Sequence, residues 1–245
     1  MRLIQTTSPE PELVYFGDEQ IPKYAILSHV WGEEEVTFQH MQDPSNRKEM
    51  KGWSKIVRAC ELARSEEWDY IWIDTCCIDK SSSAELSEAI NSMYRYYREA
   101  PVCYAYLADV RSDIPSRSFS LEFRASKWFT RGWTLQELIA PVIVVFFTQK
   151  WERIGTKASL QEIITDLTGI PLNALLDFGL RKSSIAARMS WAAGRKTSRI
   201  EDRAYSLMGI FGVYMPPIYG EGEHAFIRLQ EEILKTSDDQ TLFAW

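Results

Sequence analysis

Four apolar runs punctuate the first 150 positions, and apolar residues recur at helical spacing between them. Residues 24–31 (YAILSHVW), closed by Gly32, have the pattern of a buried strand and its turn. From position 53 to 68, Ile56, Val57, Cys60, Leu62 and Ala63 mark one helical face, and residues 69–78 (DYIWIDTCCI) predict a second buried strand. Strand, helix, strand implies a parallel crossover. Ser82 with Glu85 forms a capping box, followed by a helix burying Leu86, Ile90, Met93, Tyr94 and Tyr97. Residues 102–107 (VCYAYL) predict a third strand, and the polar stretch 109–120 a mobile surface loop that is a candidate lid. A short helix over 128–140, stopped by Pro141, precedes a fourth, wholly apolar strand at 142–148.

Past Trp151 the pattern changes. Ser159 with Glu162 and Ser198 with Glu201 are expected to cap two helices, while Phe226, Leu229, Ile233 and Leu234 mark a third. No further strand is predicted. The expected architecture is an α/β fold: a parallel sheet of four or five strands flanked by helices over residues 1–150, and a helical part over 151–245 packed on it. The chain stops in an apolar run (TLFAW), which suggests a piece of a longer protein.

Composition narrows the classes. A chain of 245 residues that is 45% hydrophobic and 25% charged can bury a core and is not disordered. A net charge of −6 without a basic stripe argues against a nucleic-acid partner. Neither a signal peptide nor a membrane-spanning run opens the chain, so a cytoplasmic location is expected. The cysteines Cys60, Cys76, Cys77 and Cys103 sit in apolar surroundings and are expected to be reduced thiols. No spacing suits a metal site, a phosphate-binding loop or a dinucleotide fingerprint, and residues 219–223 (YGEGE) read as a turn.

In an open parallel sheet, ligands bind beyond the carboxyl ends of the strands, where strand order reverses. Those ends deliver Ser28, His29, Trp31, Gly32 and three glutamates, then Asp74, Cys76 and Cys77, then Arg131, Trp133 and Glu137. Such a set suits a phosphorylated nucleotide and its ribose hydroxyls. Plainer roles stand beside each: a solvated surface acid for Glu137, a turn for Asp74, a surface ion pair for Arg131, and the core for Trp31, Trp72 and Trp133. A Cys77–His29–Asp74 thiol hydrolase is the weaker alternative.

The blocks YAILSHVWG (24–32), WIDTCCIDK (72–80), RGWTLQELIAP (131–141), EDRAYSLMGIFG (201–212) and YGEGEHAF (219–226) together resemble the fungal heterokaryon incompatibility (HET) domain. That resemblance implies a cell-death effector of fungal non-self recognition, joined in longer proteins to an upstream sensor or receptor domain. It also implies a flavodoxin-like fold similar to Toll-type receptor (TIR) domains, whose first box resembles residues 26–41 and whose later segment resembles 131–141. Enzymatic TIR domains cleave NAD at the nicotinamide ribosyl bond with a glutamate that falls here on Glu137. On that resemblance Glu137 is the catalytic residue, Ser28, Trp31, Gly32, Asp74, Arg131 and Trp133 hold the nucleotide, and no metal or added cofactor is required. NAD is then the candidate substrate and self-association the trigger. The alternative the resemblance leaves open is a non-catalytic module that self-associates and recruits an executor.

Overall fold

A computed structural model describes residues 1–111, 116–176 and 180–244 of the chain. Seven strands form one sheet: β1 (Arg2–Gln5), β2 (Glu12–Tyr15), β3 (Ala25–His29), β4 (Tyr70–Trp72), β5 (Val102–Tyr106), β6 (Val144–Phe147) and β7 (Arg153–Thr156), in the order β2-β1-β4-β3-β5-β6-β7. The four central strands are parallel, which confirms the α/β expectation, and their apolar runs are buried because helices cover both faces of such a sheet. The edges differ from it. The β1–β2 hairpin pairs antiparallel with β4, and β7 pairs antiparallel with β6, so the sheet is mixed and continues past residue 150. The edge strands β2 and β7 are short and half-exposed, and β1 buries only Leu3 and Ile4, which leaves little apolar run for a sequence pattern to show.

Three other expectations are corrected. The second strand stops at Trp72, and after Ile73 the chain enters a helical turn, Asp74–Cys77, in which the Cys76 and Cys77 amides both bond the Ile73 carbonyl. The expected helix over 128–140 is a 3-10 turn, Lys127–Thr130, followed by a helix over Thr134–Ile139. Helix Ser116–Ala125 occupies the second half of the expected loop; residues 112–115 of that candidate lid lie outside the described residues.

Capping follows the sequence only in part. Ser82 accepts the Glu85 amide at 3.3 Å, as a cap should. Ser159 instead accepts the Thr156 amide at the end of β7, and Glu201 accepts the amides of Gly220 and Gly222. The last two contacts tie down the YGEGE turn, where both glycines adopt positive φ.

Strand order reverses at β3, because the crossover from β3 reaches β4 on one side and the crossover from β4 reaches β5 on the other. The helix Trp53–Ser65 lies in the first connection and Ser83–Glu99 in the second. The latter buries Ile90, Met93 and Tyr97, and helix Met208–Phe211 of the C-terminal part packs against it.

Candidate functional site

A cleft of about 240 Å³ opens beyond the carboxyl end of β3. Glu137 lies in its floor with only 8% of its surface exposed. Its placement is over-determined. The Ser28 hydroxyl at the end of β3 donates to the Glu137 carboxyl, and the Trp128 indole N–H donates to Ser28 Oγ at 2.7 Å. The Tyr97 hydroxyl lies within hydrogen-bonding reach of Glu137 and of the Leu27 carbonyl, the latter at 3.1 Å. Burial pushes the Glu137 carboxyl up to about 8, and the Asp74 charge adds to it; the bonds from Ser28 and Tyr97 and the nearby Arg195 pull the other way. Near neutral pH this side chain therefore holds a proton that a cationic ligand would help to release.

Asp74 stands at the wall of the same cleft. It accepts the Trp31 indole N–H at 2.8 Å and contacts His29 Nε2 at 3.1 Å. Burial opposes its ionisation, but Lys80 and these hydrogen bonds outweigh that cost and hold the carboxyl well below its usual range. The Lys80 ammonium is 3.7 Å from Asp74 and sits over the Trp31 ring, 3.5 Å from its centroid. Behind them, Lys55 Nζ lies 2.8 Å from His29 Nδ1. An ammonium can only donate, so Nδ1 is the acceptor and Nε2 carries the hydrogen that His29 gives to Asp74. Lys55 also pairs with Glu35 at 2.6 Å, both side chains nearly buried.

Removing one partner of that pair strands the other charge. Lys55→Met is expected to destabilise the fold by about 3 kcal/mol at neutral pH, and less at pH 4, where the orphaned carboxyl can protonate. Urea titrations at the two pH values check this, and equal losses at both would exclude the charge explanation.

The opposite wall comes from the C-terminal part. Ser198, Arg199, Asp202 and Tyr219 line the cleft with Arg131, Trp133 and Thr134. Asp202 accepts the Tyr219 hydroxyl at 2.9 Å and bonds the Trp133 indole; burial raises its carboxyl. The segments meet in a parallel bridge between Arg131 and Lys196, and Arg195 donates to the Arg131 carbonyl at 2.9 Å and to Thr134 Oγ1 at 3.0 Å.

The family model described as heterokaryon incompatibility protein (HET) matches residues 24–120, and a domain of unknown function, DUF8212, matches residues 224–245. The vegetative incompatibility protein HET-E-1 of Podospora anserina is 51% identical over 223 residues, 88% of this chain. The chain carries a HET domain. It spans 16% of the length of that curated relative, and no solved structure matches it.

Most of the residues singled out from the sequence meet in the HET domain's cleft: Trp31, Asp74, Arg131, Trp133 and Glu137 line it. Ser28 is fully buried behind Glu137, so it orients the carboxyl rather than touching a ligand. Gly32 is exposed and outside the lining. Trp72 is core, whereas Trp31 is 51% exposed at the mouth. The buried Cys77 thiol is pushed up to about 12 by burial and takes the Ile73 amide, which removes the thiol-hydrolase alternative. Tyr97, Arg199, Asp202 and Tyr219 were missed. Asp202 and Tyr219 belong to the EDRAY and YGEGE blocks, which were the available signal, whereas Arg199 lies two positions before the first of them and carried none. No described helix is long and apolar enough to cross a membrane.

Proposed function

We propose that this HET domain is a cell-death effector of vegetative incompatibility, and that its cleft cleaves NAD at the bond between nicotinamide and ribose. The observation that carries this reading is Glu137, a buried carboxyl at the floor of a cleft whose walls bear Trp31, Trp133 and Tyr219 together with Arg131 and Arg199. Aromatic faces suit the two bases, the cations suit the phosphates, and the carboxyl suits the ribose.

In the proposed reaction the C–N bond breaks, its electron pair leaves with nicotinamide, and water adds to the ribosyl carbon with loss of a proton. Cationic character develops on the sugar as the bond lengthens. A carboxylate fixed below it by Ser28 and Tyr97 stabilises that charge without reorganising at the moment of reaction. Ser28 and Trp128 are positioning residues in this scheme. A sensor domain elsewhere in a longer protein would cluster the HET domains and raise their activity.

Free nicotinamide released from NAD by the purified, forcibly clustered chain tests the proposal. Because Glu137 must be ionised to act, kcat/KM is expected to rise with pH and level off above about 8. The kcat profile should lie at lower pH, since the bound pyridinium favours the carboxylate. A flat kcat/KM between pH 6 and 9 would remove Glu137 from the reaction. A second reading, self-association without catalysis, is favoured by the exposed Ile227 and Leu234, which are two turns apart on helix His224–Thr236. It predicts cell death that survives loss of the carboxyl.

A further inference from the structure

Two guanidinium groups on one wall of the cleft lack an acidic partner. Among the described residues no carboxylate lies within 4.0 Å of Arg131 or Arg199. Arg131 spends one N–H on Ser198 Oγ at 3.2 Å. Ser198 is the neighbour of Arg199 in the chain, so the two arginines converge on the same stretch of wall. The Arg199 guanidinium rests on the Tyr219 ring, 4.3 Å from its centroid, and makes no side-chain hydrogen bond among the described residues. Stacking of that kind fixes the plane of the group and leaves its edge donors free.

Glu201 and Asp202 both lie within electrostatic reach of Arg199, but neither forms an ion pair with it. Asp202 accepts from Tyr219 and Trp133, and Glu201 accepts the Gly220 and Gly222 amides. Lys80 across the cleft is committed to Asp74 and Trp31. What remains is a pair of planar cations without a direct ion pair among the described residues, with free edge donors beside aromatic rings. Two adjacent phosphoryl groups match this arrangement in charge and in fork geometry, which a single hydroxyl or a neutral sugar does not.

We infer that Arg131 and Arg199 form a diphosphate subsite, so that the ligand of this cleft is a nucleoside diphosphate or a dinucleotide and not a free nucleoside. The inference rests on the nucleotide reading of the cleft given above and adds the residues that select the ligand class. One arginine comes from the segment before helix Thr134–Ile139 and the other from the C-terminal part, so the subsite exists only when the two are docked.

Calorimetric titration of the Glu137→Gln chain with ADP and with adenosine isolates this subsite from turnover. ADP is expected to bind at least tenfold more tightly than adenosine, and the preference should shrink as salt rises. Arg199→Gln, at an exposed position, and Arg131→Gln should each weaken ADP about tenfold and leave adenosine unchanged. Equal affinities for ADP and adenosine, no binding of ADP at millimolar concentration, or an ADP-to-adenosine ratio untouched by both substitutions would each overturn the subsite. Failure of NAD cleavage has a separate signature: the wild-type chain then releases no nicotinamide while the preference for ADP persists.

Discussion

Glu137→Gln is expected to lower nicotinamide release by about a thousandfold, the scale seen when one preorganised electrostatic contact to a transition state is lost. The same substitution should make the protein more stable. The carboxyl titrates near 8 in the fold and near 4.5 when free, so the native state holds the proton more tightly over that interval. Stability contributed by the protonated group is complete below about 4.5 and is lost as pH climbs to about 8. A glutamine in the same pocket cannot ionise and escapes the loss. The variant should therefore match the wild type at pH 4 and exceed it by about 2 kcal/mol or more at pH 8.5. Denaturant midpoints at the two pH values measure the gap. An identical gap at both would mean that ionisation of Glu137 contributes nothing to it. Opposite movements of stability and activity are what a site held at the expense of the fold predicts.

The second large effect lies away from the chemistry. Gly209 packs so closely on the helix Ser83–Glu99 that a Cβ there would meet Tyr94 Cβ at 2.1 Å. Tyr94 Cβ is tied to its own backbone and cannot swing aside, so any side chain at 209 must part the helices. Gly209→Ala is expected to cost about 3 kcal/mol by this overpacking, and Gly209→Val more. The consequence reaches the cleft, because Tyr97 beneath Glu137 and the wall carrying Asp202 and Tyr219 belong to the two layers being parted. Loss of ADP affinity should accompany the fall in the urea midpoint. If Gly209→Ala melts like the wild type, the close contact is not what docks the C-terminal part.

Apolar run length made the centre of this fold legible. β3, β5 and β6, which lie inside the apolar runs 24–31, 102–107 and 142–148, are buried on both faces, and such strands declare themselves as hydrophobic stretches. The helix Ser83–Glu99 was equally plain from its buried stripe. β1, β2 and β7 were not: β1 buries only Leu3 and Ile4, and the edge strands β2 and β7 carry no periodicity of their own over four half-exposed residues. The end of β4 was misread for a related reason. An apolar run shows that residues 73–78 are buried, but whether they continue as a strand or coil into a turn is decided by the Ile73 carbonyl and by what Asp74 bonds to.

For the site, residue types and order along the chain were enough to name Glu137, Asp74, Arg131, Trp31 and Trp133, since ligand positions in a parallel sheet follow from topology. They could not show that Ser28 faces inward to hold a carboxyl, or that Arg199 and Tyr219 close the cleft from almost the far end of the chain. Sequence sets which groups exist and which segments must be buried. Burial of a particular carboxyl, the proton it therefore keeps, and the arginines left without partners are properties of through-space distance and exclusion of water, and only the folded arrangement decides those.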